Sequence, residues 1–210
     1  MPYRAPVDHM RFVLEHTAGM DRLRGLPAFA EVSTDVVDAV LESAATFATE
    51  VLDPLNAVGD REGSTLTPDG VRTPPGFREA YQRFVADGWP ALIGEPAHGG
   101  QGLPFLLYAV TGEMWAAANL SFSLCPELAG GAIEALAKHA PPELRDRYLP
   151  KLVSGEWSGT MCLTEPQAGS DLSNLQTRAE PDGDRWRLRG RKIYITWGEH
   201  DMADNVVHLV

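Results

Sequence analysis

Residues 157–171 read WSGTMCLTEPQAGSD, and the periodicity of the chain changes within this stretch. Before it, apolar residues recur at three- and four-residue steps, which is the spacing of one buried helix face. Residues 158–163 instead alternate in the two-residue period of a strand. A loop follows, with hydroxyls at Thr164 and Ser170 and a flexible Gly169. The stretch therefore predicts a helical block that gives way to a sheet.

The helical block is predicted to occupy residues 33–155, after an N-terminal extension of residues 1–32. Ser33 is a good N-cap, and the apolar spacing after it predicts a helix that ends near Pro54. Further periodic stretches predict helices, and Gly- and Pro-rich stretches between them predict loops. The predicted helices are residues 7–18, 33–51, 77–86, 104–119, 127–140 and 142–149, with loops at 59–75 and 90–104. We expect an all-α helical bundle from this part.

Residues 156–210 are predicted to form an antiparallel sheet or an incomplete barrel. Short alternating stretches flank a Pro-Asp-Gly-Asp turn at residues 181–184, and alternation returns at Ile193 and Ile195. The last predicted strand runs to Val210, so its apolar edge is uncovered, which predicts a fragment of a longer protein. The expected fold class is α+β, because a run of helices precedes a run of strands.

Composition excludes several classes of function. The chain has 210 residues, with 18 Lys+Arg against 29 Asp+Glu and a net charge of −11, which argues against nucleic-acid binding. Its two cysteines, Cys125 and Cys162, are too few for a disulfide scaffold, and the histidines lack metal-type spacing. No secretory leader or membrane-length apolar run is visible, so a cytoplasmic protein without metal or membrane span is expected.

The loop after residue 163 has two interpretations from its residues alone. Gly169 lets the backbone approach a ligand closely, and free N–H groups there could bind a planar polar ring or a phosphate. The alternative is a β-turn in which Ser, Thr and Asp side chains bond locally to the backbone. The residues by themselves leave both open.

Three motifs resemble those of one family, and the resemblance extends over the chain from about Ser33 onward. The string TEPQAGSD at residues 164–171 resembles the flavin-binding signature of acyl-CoA dehydrogenases. The string GRKIYITWG at residues 190–198 is similar to that family's second flavin segment. Residues 88–102, rich in glycine, look like a loop of its N-terminal domain, and the extension is similar to that of a larger bacterial branch. The chain thus resembles the N-terminal helical domain and the start of the middle β-domain, without the family's C-terminal helical domain.

The resemblance implies FAD as cofactor and a set of residues that contact it. The backbone of Leu163 and Thr164 would meet the N1/O2/N3 edge of the flavin, and Thr196 would lie near N5. Gly169 and Ser170 would lie near the pyrophosphates of FAD or coenzyme A, which makes Ser170 the predicted substrate contact. The full predicted cofactor set is Met161, Leu163, Thr164, Gly169, Ser170, Tyr194, Ile195 and Thr196.

Within this set, Met161 would pack against the ring, and Tyr194 would lie beside it where many relatives have Trp. Two residues depart from the family pattern. Gln167 stands where Gly is common, and Trp197 stands where a small or polar residue is usual. These departures affect which contacts are expected at the edge of the flavin, and not the resemblance to the family.

The resemblance also implies a reaction, the α,β-dehydrogenation of an acyl-CoA thioester to trans-2-enoyl-CoA. Hydride would pass to flavin N5 and electrons then to an electron-transferring flavoprotein, within a homodimer or homotetramer. The family's catalytic glutamate lies in the C-terminal domain, so no catalytic residue is predicted here and the 210 residues alone are expected to be inactive. The alternatives are an acyl-CoA oxidase or monooxygenase-like flavoenzyme, and a non-catalytic truncated relative.

Overall fold

A computed structural model describes residues 2–210, and helices make up most of it as far as Val153. The helices are α1 (Val7–His16), α2 (Met20–Arg24), α3 (Thr34–Phe47), α4 (Asp53–Glu62), α5 (Phe77–Ala86), α6 (Phe105–His139) and α7 (Pro142–Val153). The strands are β1 (Thr65–Thr67), β2 (Gly70–Arg72), β3 (Trp157–Met161), β4 (Arg178–Asp182), β5 (Arg185–Arg189) and β6 (Asn205–Leu209). The predicted α+β class is confirmed.

Helix α3 begins as predicted but the helical backbone does not end at Pro54. The Ser33 hydroxyl accepts a hydrogen bond from the Val36 N–H at 3.3 Å and so caps α3. A π-helical turn, Ala48–Leu52, then leads directly into α4. Pro54 lies in the first turn of α4, where its missing N–H costs nothing, so the chain remains helical to Glu62. The predicted loop at 59–75 is wrong in part, because α4 and the β1–β2 hairpin occupy much of it.

Helix α6 contains a sharp break at the buried Asn119, whose φ and ψ are −157° and 88°. The Asn119 side chain stabilises the break from both sides. Its amide N–H donates to Leu52 O at 3.2 Å, and its amide oxygen accepts from the Ser121 hydroxyl at 2.8 Å and the Phe122 N–H at 3.1 Å. The side chain thus replaces backbone partners that a continuous helix would provide.

The two arms of α6 fold back against each other at this break. A Cβ atom on Gly130 would lie 2.5 Å from the Tyr108 hydroxyl, although the two residues are 22 positions apart. A straight helix would separate them by about 33 Å at 1.5 Å per residue. Residues 105–118 and 120–139 therefore form a helical hairpin rather than one rod. The sequence predicted two helices here, but the second begins near residue 120 and not at residue 127.

Aromatic side chains from α3, α5 and α6 fill the centre of the helical block. Phe84 lies 5.1 Å from Trp115, 5.9 Å from Phe47 and 6.2 Å from Phe122, measured between ring centroids. Met10 of α1 is buried in the same core, so the N-terminal extension packs onto the bundle. No helix within residues 2–210 combines the length and the apolar character needed to cross a bilayer.

The strands form one parallel and two antiparallel pairs. Strand β3 pairs with β6 in parallel, whereas β4 and β5 form an antiparallel hairpin and β1 and β2 another. The antiparallel prediction therefore holds for β4–β5 and is wrong for β3–β6. A parallel pair needs a long crossover, and residues 162–204 supply it. Within residues 2–210 no sheet closes into a barrel.

Strand β3 packs directly on the second arm of α6. A Cβ atom on Gly159 would lie 2.6 Å from Ala132 Cβ and 3.4 Å from Ala129 Cα, so only glycine fits at this approach. The Tyr81 hydroxyl of α5 donates to Gly155 O at 3.0 Å, just before β3 begins. The helices thus fix the position of the strand from which the predicted flavin loop emerges.

A buried histidine lies at the same junction of helices and sheet. His200 is 8% exposed; its Nδ1 accepts from the Met202 N–H at 3.2 Å, so Nε2 carries the proton and donates to the Ser158 hydroxyl at 2.8 Å. Cys125 Sγ lies 3.9 Å from the same Nε2. Burial lowers the pKa of His200, although the neighbouring Asp201 carboxylate opposes the shift. His200 is therefore neutral in the folded chain at neutral pH.

Lowering the pH from about 7.5 to about 5.5 is expected to destabilise the chain through His200. The unfolded histidine takes up a proton near pH 6.5 while the buried one does not, so stability falls as the pH drops through that value. For one proton, the free energy of unfolding falls by at most about 1.4 kcal/mol for each pH unit. Urea unfolding of wild type and His200→Gln, which keeps a donor and an acceptor, should show a shallower decline in the variant. Equal declines would contradict the assignment.

Candidate functional site

The two segments that resemble flavin-binding motifs lie side by side. The Ile193 N–H donates to Thr164 O at 3.0 Å, and Lys192 Nζ donates to Leu163 O at 2.9 Å. Two consecutive carbonyls of the loop after β3 are thus held by two consecutive residues of the 190–198 segment. No packed layer of other residues separates these segments at the point of contact, because they bond to each other directly.

Glu165 joins this contact to a third segment of chain. One carboxylate oxygen accepts from Lys192 Nζ at 2.8 Å and the Thr177 N–H at 3.0 Å. The other accepts from the Gln176 N–H at 2.8 Å and the Gln167 side chain at 2.6 Å. The Lys192 ammonium, with the N–H donors at 176 and 177, holds the pKa of the Glu165 carboxyl well below its usual range. Glu165 is therefore an ionised structural centre of the loop.

The predicted ring-facing side chains lie on an open surface beside this centre. Met161 and Leu163 are 42% and 44% exposed, and Tyr194 is 89% exposed. Gly169, Ser170 and Thr196 are also exposed, whereas Thr164 and Ile195 are half-buried. Within residues 2–210, the backbone N–H groups of Leu163, Thr164, Gly169 and Ser170 are among those of the loop that have no protein acceptor. Exposed apolar side chains next to free N–H donors suit a flat ring with a polar edge.

Two residues of the 190–198 segment have left-handed backbone conformations, with φ of 55° at Tyr194 and 54° at Trp197. These conformations rule out the strand expected around Ile193 and Ile195, since a pleated strand needs negative φ. A non-glycine residue in this region stores strain, and such strain is concentrated at functional sites. The segment is thus irregular where the sequence predicted regular alternation.

The two departures from the family pattern have structural roles. The Trp197 indole donates to Ser121 O at 2.9 Å and its ring stacks on Phe77 at 6.3 Å, which anchors the segment to the helices. The Gln167 side chain bonds to Glu165 and to Asn174 O at 3.2 Å, and so closes the loop. Both residues stabilise the geometry of the site through these bonds, Trp197 from a half-buried position and Gln167 from an exposed one.

The structure brings the loop residues 163–164 into contact with residues 192–193, and it places Thr196 on an exposed turn three residues further on. Glu165 and Lys192 were part of the recognised motifs, but no role followed for them from the sequence. The sequence offered one signal for their pairing: an acidic residue in one motif and a basic residue in the other, two motifs expected to form one site. Within the described residues, no group of three His, Cys, Asp or Glu side chains is placed to hold a metal ion.

Comparison with known proteins agrees with the motifs. The family profile "Acyl-CoA dehydrogenase, N-terminal domain" matches residues 34–156, more than half of the chain, and "Acyl-CoA dehydrogenase, middle domain" matches residues 160–209. The chain belongs to the acyl-CoA dehydrogenase family. The resemblance inferred from the motifs is therefore confirmed.

One similar protein matches the whole chain, and two solved structures match most of it. The 3-methylmercaptopropionyl-CoA dehydrogenase of Ruegeria pomeroyi is 43% identical over 211 residues, covering 100% of this chain and 36% of that protein. Butyryl-CoA dehydrogenase from Megasphaera elsdenii matches in structure with a TM-score of 0.69 and 25% identity, covering 84% of this chain and 44% of that one. An FAD complex of PigA matches with a TM-score of 0.63 and 27% identity, over 78% and 40%. The chain thus spans less than half the length of these relatives.

Proposed function

We propose that this chain forms the flavin-holding part of an FAD-dependent acyl-CoA dehydrogenase that converts acyl-CoA thioesters to trans-2-enoyl-CoA. The observation that supports this function best is the direct bonding of the 163–165 loop to Lys192 and Ile193. It brings both family flavin segments into one site with an open, amphipathic face. The electron acceptor would be an electron-transferring flavoprotein, and the whole protein a cytoplasmic homodimer or homotetramer.

The residues present fit FAD by the chemistry of their donors. The free N–H groups of Leu163 and Thr164 would bind the polar edge of the isoalloxazine, and Met161 and Tyr194 would pack against its apolar part. The exposed Ser170, with an unpartnered N–H, would bind a pyrophosphate of FAD or coenzyme A. When bound, FAD supplies the hydride-accepting chemistry that protein side chains lack.

The acyl chain would occupy an apolar cavity of about 370 Å³ in the helical block. Phe105 and Ile133 from the two arms of α6 and Phe29 from the N-terminal extension line it. Ala129 lines the cavity and also lies against Gly159 of β3, two residues before Met161. The relatives named for 3-methylmercaptopropionyl-CoA and butyryl-CoA support a short acyl chain as the substrate class.

No residue of this chain is proposed as the catalytic base. The one glutamate at the site, Glu165, is buried and accepts four hydrogen bonds, so it cannot take an α-proton from a substrate. The family's base would come from outside these residues. What this chain contributes is binding, orientation and hydrogen-bond donation.

The cofactor is tested by titrating the purified chain with FAD and following quenching of the flavin fluorescence and the visible spectrum. We expect saturable binding of FAD, followed by a spectral shift without bleaching when butyryl-CoA is added anaerobically. A Thr164→Pro variant, which removes one N–H donor, should bind FAD more weakly, whereas Thr46→Val on α3 should bind like wild type. Absence of any FAD binding by the folded wild-type chain would contradict the proposal.

A further inference from the structure

Lys192 bonds to two acceptors that differ in kind. Its ammonium lies 2.8 Å from the Glu165 carboxylate and 2.9 Å from the backbone carbonyl of Leu163, and its side chain is only 14% exposed. A surface ion pair would leave the ammonium free to move, as for Lys151 and Glu156, whose side chains are 45% and 40% exposed. The buried pair instead holds the ammonium against one peptide group of the flavin loop.

Glu165 is itself held by donors that cannot move independently. The backbone N–H groups of residues 176 and 177 each donate to a different carboxylate oxygen of Glu165. The Gln167 side chain donates to the same oxygen as the N–H of residue 176. The carboxylate is 2% exposed, so water does not compete for it. The position of the Lys192 ammonium is therefore set by the protein backbone through Glu165.

The contact with Leu163 O determines the direction of the next N–H group. In a trans peptide the carbonyl of one residue and the N–H of the next point in opposite directions. Because the Leu163 carbonyl faces Lys192, the Thr164 N–H faces away from Lys192, toward the side where it has no protein acceptor within residues 2–210. The Thr164 carbonyl is held in turn by the Ile193 N–H at 3.0 Å. The peptide between residues 163 and 164 is thus fixed by the bond to its own carbonyl and by the bond to the carbonyl of the next peptide.

We propose that Lys192, held in place by Glu165, is a positioning residue that orients the peptide between residues 163 and 164 toward the flavin. The proposal rests on the proposed function, since it assumes that the Thr164 N–H donates to the cofactor. Lys192 acts through that peptide and does not itself contact the reacting atoms. Its effect is to present a pre-oriented donor where negative charge collects on the reduced flavin.

The test compares wild type, Lys192→Met, Lys192→Arg and Lys151→Met for FAD affinity and for the reduction potential of bound FAD. Lys192→Met should weaken FAD binding about tenfold or more and shift the potential to more negative values, because the Thr164 N–H is no longer held toward the flavin edge. Lys192→Arg, which keeps charge and donors, should restore most of the affinity. Lys151→Met removes an exposed lysine from an ion pair and should match wild type in both measurements.

The outcomes separate this inference from the proposed function. If wild type binds FAD and Lys192→Met retains its potential and affinity while unfolding at lower urea, the pair is only structural and the inference is overturned. If the folded wild type binds no FAD, the proposed function and this inference both fail. A Glu165→Gln variant that reproduces the potential shift of Lys192→Met would support the chain of contacts from carboxylate to peptide.

Discussion

Replacing Phe84 with alanine is expected to lower the free energy of unfolding by about 3–5 kcal/mol. Phe84 is 2% exposed and its ring contacts the rings of Phe47, Trp115 and Phe122, so truncation leaves a cavity that three helices border. The neighbours cannot collapse into it, because they belong to α3 and to both arms of α6. Urea unfolding monitored by circular dichroism measures the loss.

The matched control for Phe84 is Phe12→Ala on α1. Phe12 is 57% exposed, and an exposed substitution of this kind is usually worth no more than about 0.5 kcal/mol. A loss below about 1 kcal/mol for Phe84→Ala would mean that the core rearranges around the site. In that case the aromatic cluster would not determine how α3, α5 and α6 pack.

Replacing Asn119 with alanine is expected to cost about 2–4 kcal/mol. The side chain is 1% exposed, and its loss leaves Leu52 O and the Phe122 N–H buried without their partners. Each unpaired buried group costs about 1–3 kcal/mol, which is more than the bond itself is worth. The variant should also loosen the fold-back of α6, since the break depends on these bonds.

Ser121→Ala is the control for Asn119, because it removes only the hydroxyl that donates to the Asn119 amide oxygen and keeps the carbonyl that binds Trp197. We expect a loss of about 1 kcal/mol or less from it. Urea unfolding gives both values, and amide hydrogen exchange across residues 115–125 reports on the break. An unchanged free energy of unfolding and an unchanged exchange pattern in Asn119→Ala would show that the hairpin does not need this side chain.

Much of the helical block could be predicted because its signals are local. Ser33 caps α3 as expected, and the Asp87-Gly88 pair ends α5 as expected. N-caps and glycine stops depend on a few neighbouring residues, so a sequence window contains all that is needed. The same is true of the two flavin motifs, whose residues are adjacent in the chain.

The predictions from the sequence were wrong where a local signal competes with a contact between distant residues. Pro54 is a helix breaker in isolation, but after the π turn it occupies a first-turn position that tolerates proline. Ile193 and Ile195 alternate like a strand, yet the anchoring of Trp197 on Phe77 places the segment in an irregular conformation. Alternation does not determine which strand pairs with which, so the parallel β3–β6 pairing could not be read from it.

The sequence by itself determined the class of the fold, the helices with local caps, the family and the two segments that would hold a flavin. Only the tertiary structure decided how those segments meet, which carbonyls Lys192 and Ile193 hold, and that Glu165 is a buried anchor instead of a free acid. The physical reason is the range of the interactions. Periodicity and capping act over a few residues, whereas the bonds of Glu165 and Lys192 join segments up to 29 positions apart, and only the folded chain brings them within reach.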